Sequence, residues 1–176
     1  MPQSLAQAEE IARRHLSSQL AGSGGVRIVS EATKEFDVGW IFYYQAARFL
    51  ETADIGDSLV GNAPIFVARS DGKVISVAYH RPLTESMAAY RFCGNPNAVE
   101  VPEVELTGCR PGALAVSAIQ LIRQHAPVGL VAAKRMVEDC LANRRSIVST
   151  HDIASARLLV QGLASVGFVG EVRYDG

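Results

Sequence analysis

Gly39-Trp40-Ile41-Phe42-Tyr43-Tyr44-Gln45 is the stretch from which the first half of the chain is read. Trp40, Phe42 and Tyr44 alternate with Ile41 and Tyr43, so an extended chain places large side chains on both faces. Such a strand is central in a sheet, or one of its faces awaits a partner. Burying an aromatic ring removes about 150–250 Å² from water, worth about 4–6 kcal/mol, so three or four rings can anchor a small domain. Core packing is the plain reading for Trp40 and Phe42. Tyr43, Tyr44 and Gln45 each carry a polar tip that must reach water or a partner.

Upstream, Ser4 and Gln7 form a capping box ahead of Leu5, Ala8, Ile11, Ala12 and Leu16 at helical spacing, which predicts a helix ending near Gly22. Gly22-Ser23-Gly24-Gly25 comes after that helix, whereas a phosphate cradle comes after a strand and opens a helix, so it reads as a turn into a strand over 26–30. Residues 34–37 are the polar approach to the aromatic strand. Downstream, 46–51 suits strand or helical turn alike, and Asp54, Gly56 and Asp57 make a loop. Asn62-Ala63-Pro64 enforces an extended entry, because the residue before proline is pushed out of the helical region. Strands over 65–69 and 73–79 are joined by Ser70-Asp71-Gly72, with Asp-Gly at the centre of a two-residue hairpin. Pro82 closes it, and Thr84 with Glu85 opens a short helix through Met87 to Phe92.

Cys93-Gly94-Asn95-Pro96-Asn97 is rich in turn-formers, which predicts domains over 1–93 and 103–176 joined by a linker over 94–102. Beyond it, 101–107 alternates as a strand. A helix runs to about His125 with Ala115, Ile119 and Ile122 on one face. After Pro127 and Gly129, the residues Ala133, Met136, Val137, Cys140 and Leu141 form an amphipathic stripe. A strand over 146–148 is next, then Ser149 and Asp152 as a second capping box for a helix through Ile153, Ala156, Val160, Leu163 and Ala164. Gly167 ends that helix, and 168–174 is the last strand.

The chain carries 17 basic and 18 acidic residues, 48% hydrophobic and 20% charged, an ordinary globular composition. There is neither the basic excess of a nucleic-acid binder nor the acidic excess of a decoy for basic nucleases. No apolar run approaches 18 residues and no basic-then-apolar leader opens the chain, so a cytoplasmic protein without membrane contact is expected. Cys93, Cys109 and Cys140 are odd in number and far apart, which reads as plain thiols. His15, His80, His125 and His151 lack metal-ligand spacing, and no nucleophile motif is present, so no catalytic residue, metal or cofactor is expected. Arg144-Arg145 has no interleaved aromatics and reads as a solvated loop.

The spaced elements Gly39-Trp40-x-Phe42-x-Tyr44-Gln45, Phe49-Leu50-Glu51-Thr52, Leu59-Val60-Gly61-Asn62-Ala63-Pro64-Ile65 and Val67 resemble the immunity protein 35 family of bacterial polymorphic-toxin systems over about 6–90. That resemblance implies a small, non-enzymatic protein that binds and silences a cognate toxin. The aromatic strand and the acidic loop are then the contact surface, with Trp40, Tyr43, Tyr44, Gln45, Glu51, Asp54, Asp57 and Asn62 as candidate contact residues. Loop acids facing a toxin's basic active site fit such a role. Asn62 also has the reach to bridge two loops.

In the second half, Val104-Glu-Leu to Gly112, Ile119, Ile122-Arg123, Gly129-Leu130-x-x-Ala133-Lys134-x-x-Val137-Glu138 and Leu163-x-x-x-Gly167 with Val172 are similar to the C-terminal domain of the bacterial ribosomal stalk protein of the seven/twelve type, over about 103–174. That domain recruits translation factors through lysines on paired helices. Here Arg123 and Lys134 keep two basic positions, while Ala115, Gln120 and Val131 replace lysines. A related fold serves as a protease adaptor. The expectation is an α+β protein of two small domains: an N-terminal antiparallel sheet with flanking helices, and a C-terminal β-α-α-β-α-β domain. Its expected function is toxin neutralisation, with the second domain adding contact area or forming a homodimer. The alternative is a peptide-binding adaptor or chaperone-like module docking on a protease ATPase or on translation machinery.

Overall fold

The computed structural model describes residues 2–20 and 25–175. It contains helices and antiparallel sheets, an α+β chain that divides into two compact units between Asn97 and Ala98.

The first unit runs α1 (Leu5–Gln19), β1 (Val26–Ile28), β2 (Lys34–Phe36), β3 (Gly39–Phe42), β4 (Tyr44–Ala46), α2 (Ala47–Thr52), β5 (Ile65–Ala68), β6 (Val74–Ser76) and α3 (Leu83–Cys93). The capping box is present: Ser4 Oγ accepts from Gln7 N at 3.3 Å, and Gln7 Oε1 accepts from Ser4 N at 2.9 Å. Leu20 caps the far end of α1, and the expected Gly22 terminus lies outside the described residues, as does the glycine turn apart from Gly25.

β2-β3-β5-β6 form an antiparallel sheet in that order, and β3 is fully buried. Its two faces meet different helices. Trp40 and Phe42 pack with Ile65, Val67 and the Ala8, Ala12, Leu16 stripe of α1. Ile41 packs with Phe66, Ala68, Val77 and Met87 of α3, and the Tyr90 ring meets Phe66 edge-on at 4.6 Å. The side-chain period of two therefore feeds two apolar layers, which is why no position in β3 is polar. Gly39 is required where β3 begins: its φ is +155°, and a Cβ there would fall 2.2 Å from Val67 O.

The aromatic run is one strand in sequence and two in space. The ladder breaks at Tyr43, and β4 leaves to pair with β1 as a separate antiparallel ribbon. The ambiguous stretch after it is helical, as α2. The expected hairpin joins β5 to β6, but with a longer connection than two residues: Ala68 N donates to Lys73 O at 2.9 Å, so 69–72 form the loop. Asp71 Oδ1 accepts from Lys73 N at 3.0 Å, and Gly72 takes φ +74°, so the Asp-Gly pair sits at the end of the turn.

The second unit runs β7 (Val99–Cys109), α4 (Ala115–His125), α5 (Leu130–Leu141), β8 (Ser146–Ser149), α6 (Ile153–Ser165) and β9 (Phe168–Asp175). The antiparallel sheet has the order β8-β7-β9. Val104, Leu106, Val148 and Phe168 of the sheet bury against Ala118, Ile122, Ala133, Val137, Leu159 and Leu163 of the helices. Residues 99–102, expected in the linker, belong to β7, because Val99 and Glu100 pair with Asp175 and Tyr174. Asp152 is itself the N-cap of α6, accepting from Ser155 N at 2.7 Å, in place of the box expected from Ser149.

Candidate functional site

The expected contact residues lie in the first unit at the end of the sheet where β3 finishes and β5 begins. The structure separates them into sealed rings, internal pins and a displayed loop.

Trp40 is 1% exposed and Phe42 equally buried, so neither offers contact area. Trp40 was expected among the contacts and is instead a core residue, packed among the apolar neighbours of its layer with the Arg69 guanidinium 4.0 Å over its ring. Arg69 is held by Glu35 at 2.7 Å and by the carbonyls of Phe36 and Asp37 at 3.1 and 3.0 Å. Tyr43 and Tyr44 are half-buried on opposite faces, Tyr43 against the Ile41 cluster and Tyr44 against the Trp40 cluster. Burial pushes the Tyr44 hydroxyl pKa above its usual value. The two rings therefore do not form one surface.

Gln45 and Asn62 are pins. Gln45 Oε1 accepts from Leu59 N at 2.5 Å and from Ala46 N at 2.8 Å, while its Nε2 donates to Leu59 O at 3.2 Å. Asn62 Nδ2 donates to Tyr44 O at 2.7 Å. Together they fasten the segment 53–62 to β4 at both 59 and 62, so Asn62, expected to bridge two loops, pins a loop to a strand instead.

Each of the three acids already has a partner within the first unit. Glu51 meets Arg27 at 2.5 Å and Asp57 meets Arg48 at 2.9 Å. Asp54 caps the 3-10 turn Ile55–Asp57 by accepting from Gly56 N at 2.9 Å, and Ser58 Oγ donates to Ile55 O at 2.8 Å. Asp54 and Asp57 thus hold the loop in shape, while Glu51 ties α2 to β1.

Beside exposed Glu51, Thr52 and Asp54, this segment displays large apolar side chains. Ile55 is 81% exposed, Val60 is 91% exposed, and Leu50 of α2 is half-exposed beside them in sequence. Val77 N donates to Pro64 O at 2.8 Å, so the chain leaving β6 returns to this end of the sheet, where Tyr79 stands exposed. None of these four was expected among the contacts, and Leu50 and Val60 entered only as part of the family resemblance. The available signal was Ile55 standing alone among Asp and Gly, and the short Leu59-Val60 pair after Ser58, neither with a periodicity that assigns it to a core.

In the second unit, Arg123 lies exposed in the last turn of α4, and exposed Lys134 pairs with Glu138 one turn along α5 at 3.6 Å. Among the described residues, no group of three or more His, Cys, Asp or Glu is arranged to hold a metal ion. No described helix is long and apolar enough to cross a membrane.

The chain is similar to the uncharacterized protein YrhB of Escherichia coli (strain K12), with 38% identity over 57 residues, 32% of this chain and 61% of that protein. The chain thus spans less than two thirds of that relative's length. No solved structure matches. Residues 6–91, which carry the twice-pinned loop, match the family model for immunity protein 35.

Proposed function

We propose that this chain is a non-enzymatic bacterial immunity protein that binds and neutralises a cognate toxin of a polymorphic-toxin system in the cytoplasm, gripping it with 50–60 and Tyr79. The match over residues 6–91 supports the immunity role in general terms. The observation that carries the choice of surface is the exposure of Ile55 and Val60, 81% and 91%, on a loop fixed by Gln45, Asp54, Asp57 and Asn62. A neutralising complex calls for nanomolar affinity, about −12 kcal/mol, and an interface of about 1,600 Å² with apolar anchors at its centre. A loop already held in one conformation loses little entropy on docking, so two aliphatic side chains on it are worth more than on a mobile segment. Glu51, Asp54 and Asp57 serve as scaffold in this reading, and Tyr43 and Tyr44 support the strand beneath.

The deciding experiment is co-expression with the toxin encoded beside the gene. Ile55→Asp with Val60→Asp should abolish protection and complex formation while the protein stays folded. Full protection by this double variant would place the toxin elsewhere.

A second reading, an adaptor docking through residues 98–176, is favoured by Val116 and Val131, strongly exposed on α4 and α5. The two readings part on a truncation: an immunity protein keeps its toxin when 98–176 is removed, and an adaptor loses its partner.

A further inference from the structure

We infer that a second copy of this chain pairs along β9 of the second unit, joining two three-stranded sheets into one continuous antiparallel sheet. The inference is independent of toxin binding. In the order β8-β7-β9, β9 pairs with β7 on one side and with no strand on the other among the described residues. β9 is thus an edge strand, and an edge strand is a template for another strand.

The charges on β9 choose both the occupant and the register. Phe168 and Val172 face the helices, so Val169, Glu171, Arg173 and Asp175 line the opposite face. On that face Arg173 meets Glu103 of β7 at 2.5 Å. Glu171 stands directly opposite Glu105, which turns to Arg145 at 3.1 Å. Glu171 has no ion pair among the described residues, and its cross-strand neighbour carries the same charge.

A two-fold axis perpendicular to the sheet keeps the helix-covered faces on one side and requires facing residues to share a face. Four central registers satisfy this, and with Gly170 on the axis Glu171 faces Val169, so that no opposite charges meet. With Glu171 on the axis, Glu171 faces itself, and with Arg173 on the axis, Arg173 faces itself while Glu171 faces Asp175. With Val172 on the axis, Glu171 faces Arg173 of the second copy, twice by symmetry. Opposite charges facing across strands are favourable and like charges are not, so the Val172 register wins. It also sets Tyr174 of the second copy opposite Gly170, where the sheet lacks a side chain.

The test is sedimentation of the full-length chain over a concentration series. Wild type should show a reversible monomer–dimer equilibrium in the micromolar range, as expected of an interface smaller than a standard one, and weaker at high salt. Glu171→Arg places Arg against Arg173 of the second copy and should weaken the dimer about tenfold or more. The same change sets a positive charge opposite Glu105 within the monomer, so the variant should melt no lower than wild type. Glu171→Gln, which removes charge without reversing it, should fall between the two. A wild type that stays monomeric at about 1 mM overturns the inference. So does a dimer that Glu171→Arg leaves intact.

Discussion

The Gln45 side-chain amide reads the main chain of Leu59 as a neighbouring strand would, accepting from its N–H at 2.5 Å and donating to its carbonyl at 3.2 Å. One side chain thus replaces a missing strand pair and holds a loop that has no ladder of its own. Gln45→Ala should cost about 1–3 kcal/mol, since it leaves both Leu59 groups without their partner in a partly buried place. Gln45→Glu keeps the acceptor but opposes two oxygens at Leu59 O, and should cost nearly as much. Urea denaturation reads the loss, and hydrogen exchange at the Leu59 amide should accelerate more than exchange in β3.

The loop's display and its scaffold are separable by stability. Ile55→Asp and Val60→Asp replace exposed side chains and should change unfolding free energy by less than about 0.5 kcal/mol while removing protection. Tyr44→Ala, which empties part of the Trp40 layer, should destabilise the fold measurably whatever it does to binding.

Because Glu51 and Asp57 are neutralised by Arg27 and Arg48 within the chain, attraction between loop and toxin should rest on apolar area. Affinity for the toxin measured by calorimetry should fall less than about threefold between 0.05 and 0.5 M salt, approximate bounds that span strong and weak screening. A steep salt dependence would instead indicate that the carboxylates face basic groups on the toxin.

Trp40→Ala removes the largest fully buried side chain of the first unit and the platform under Arg69, and should cost about 3–5 kcal/mol. Gly39→Ala should also be severe, because its Cβ would meet the Val67 carbonyl and the Phe66 ring. Thermal melts of both variants against wild type check this.

Arg91 grips Asp37 bidentately, Nε and Nη2 each donating to one carboxylate oxygen, and holds its carboxyl below the ordinary 3.8. A carboxylate with a depressed folded pKa contributes stability that is present above the unfolded value and lost as pH falls through the folded one. Wild type should therefore exceed Asp37→Asn in urea midpoint at neutral pH, with the gap closing below pH 3.8. A gap that persists to about pH 2 would mean that the pair holds by geometry without its charge.

Periodicity made much of the fold legible. The Ala8, Ala12, Leu16 stripe and the Ala133, Val137, Cys140 stripe are apolar at helical spacing and are buried as read. The features that escaped were set by partners distant in sequence. The break at Tyr43 arises because β1, not β5, takes the next three residues, a competition that no local pattern records. Glu51, Asp57 and Gln45 read as free contact groups because Arg27, Arg48 and Leu59 become their neighbours only on folding. Trp40 read as ambiguous for the same reason, as its cover is Arg69, a residue from the next hairpin.

Each unit closes its own interior: the Trp40 and Ile41 layers draw on residues before Asn97, and the Val104 layer draws on residues after it. A genetic crossover at that junction would split neither interior. Head and tail could therefore be exchanged between chains without reopening either interior.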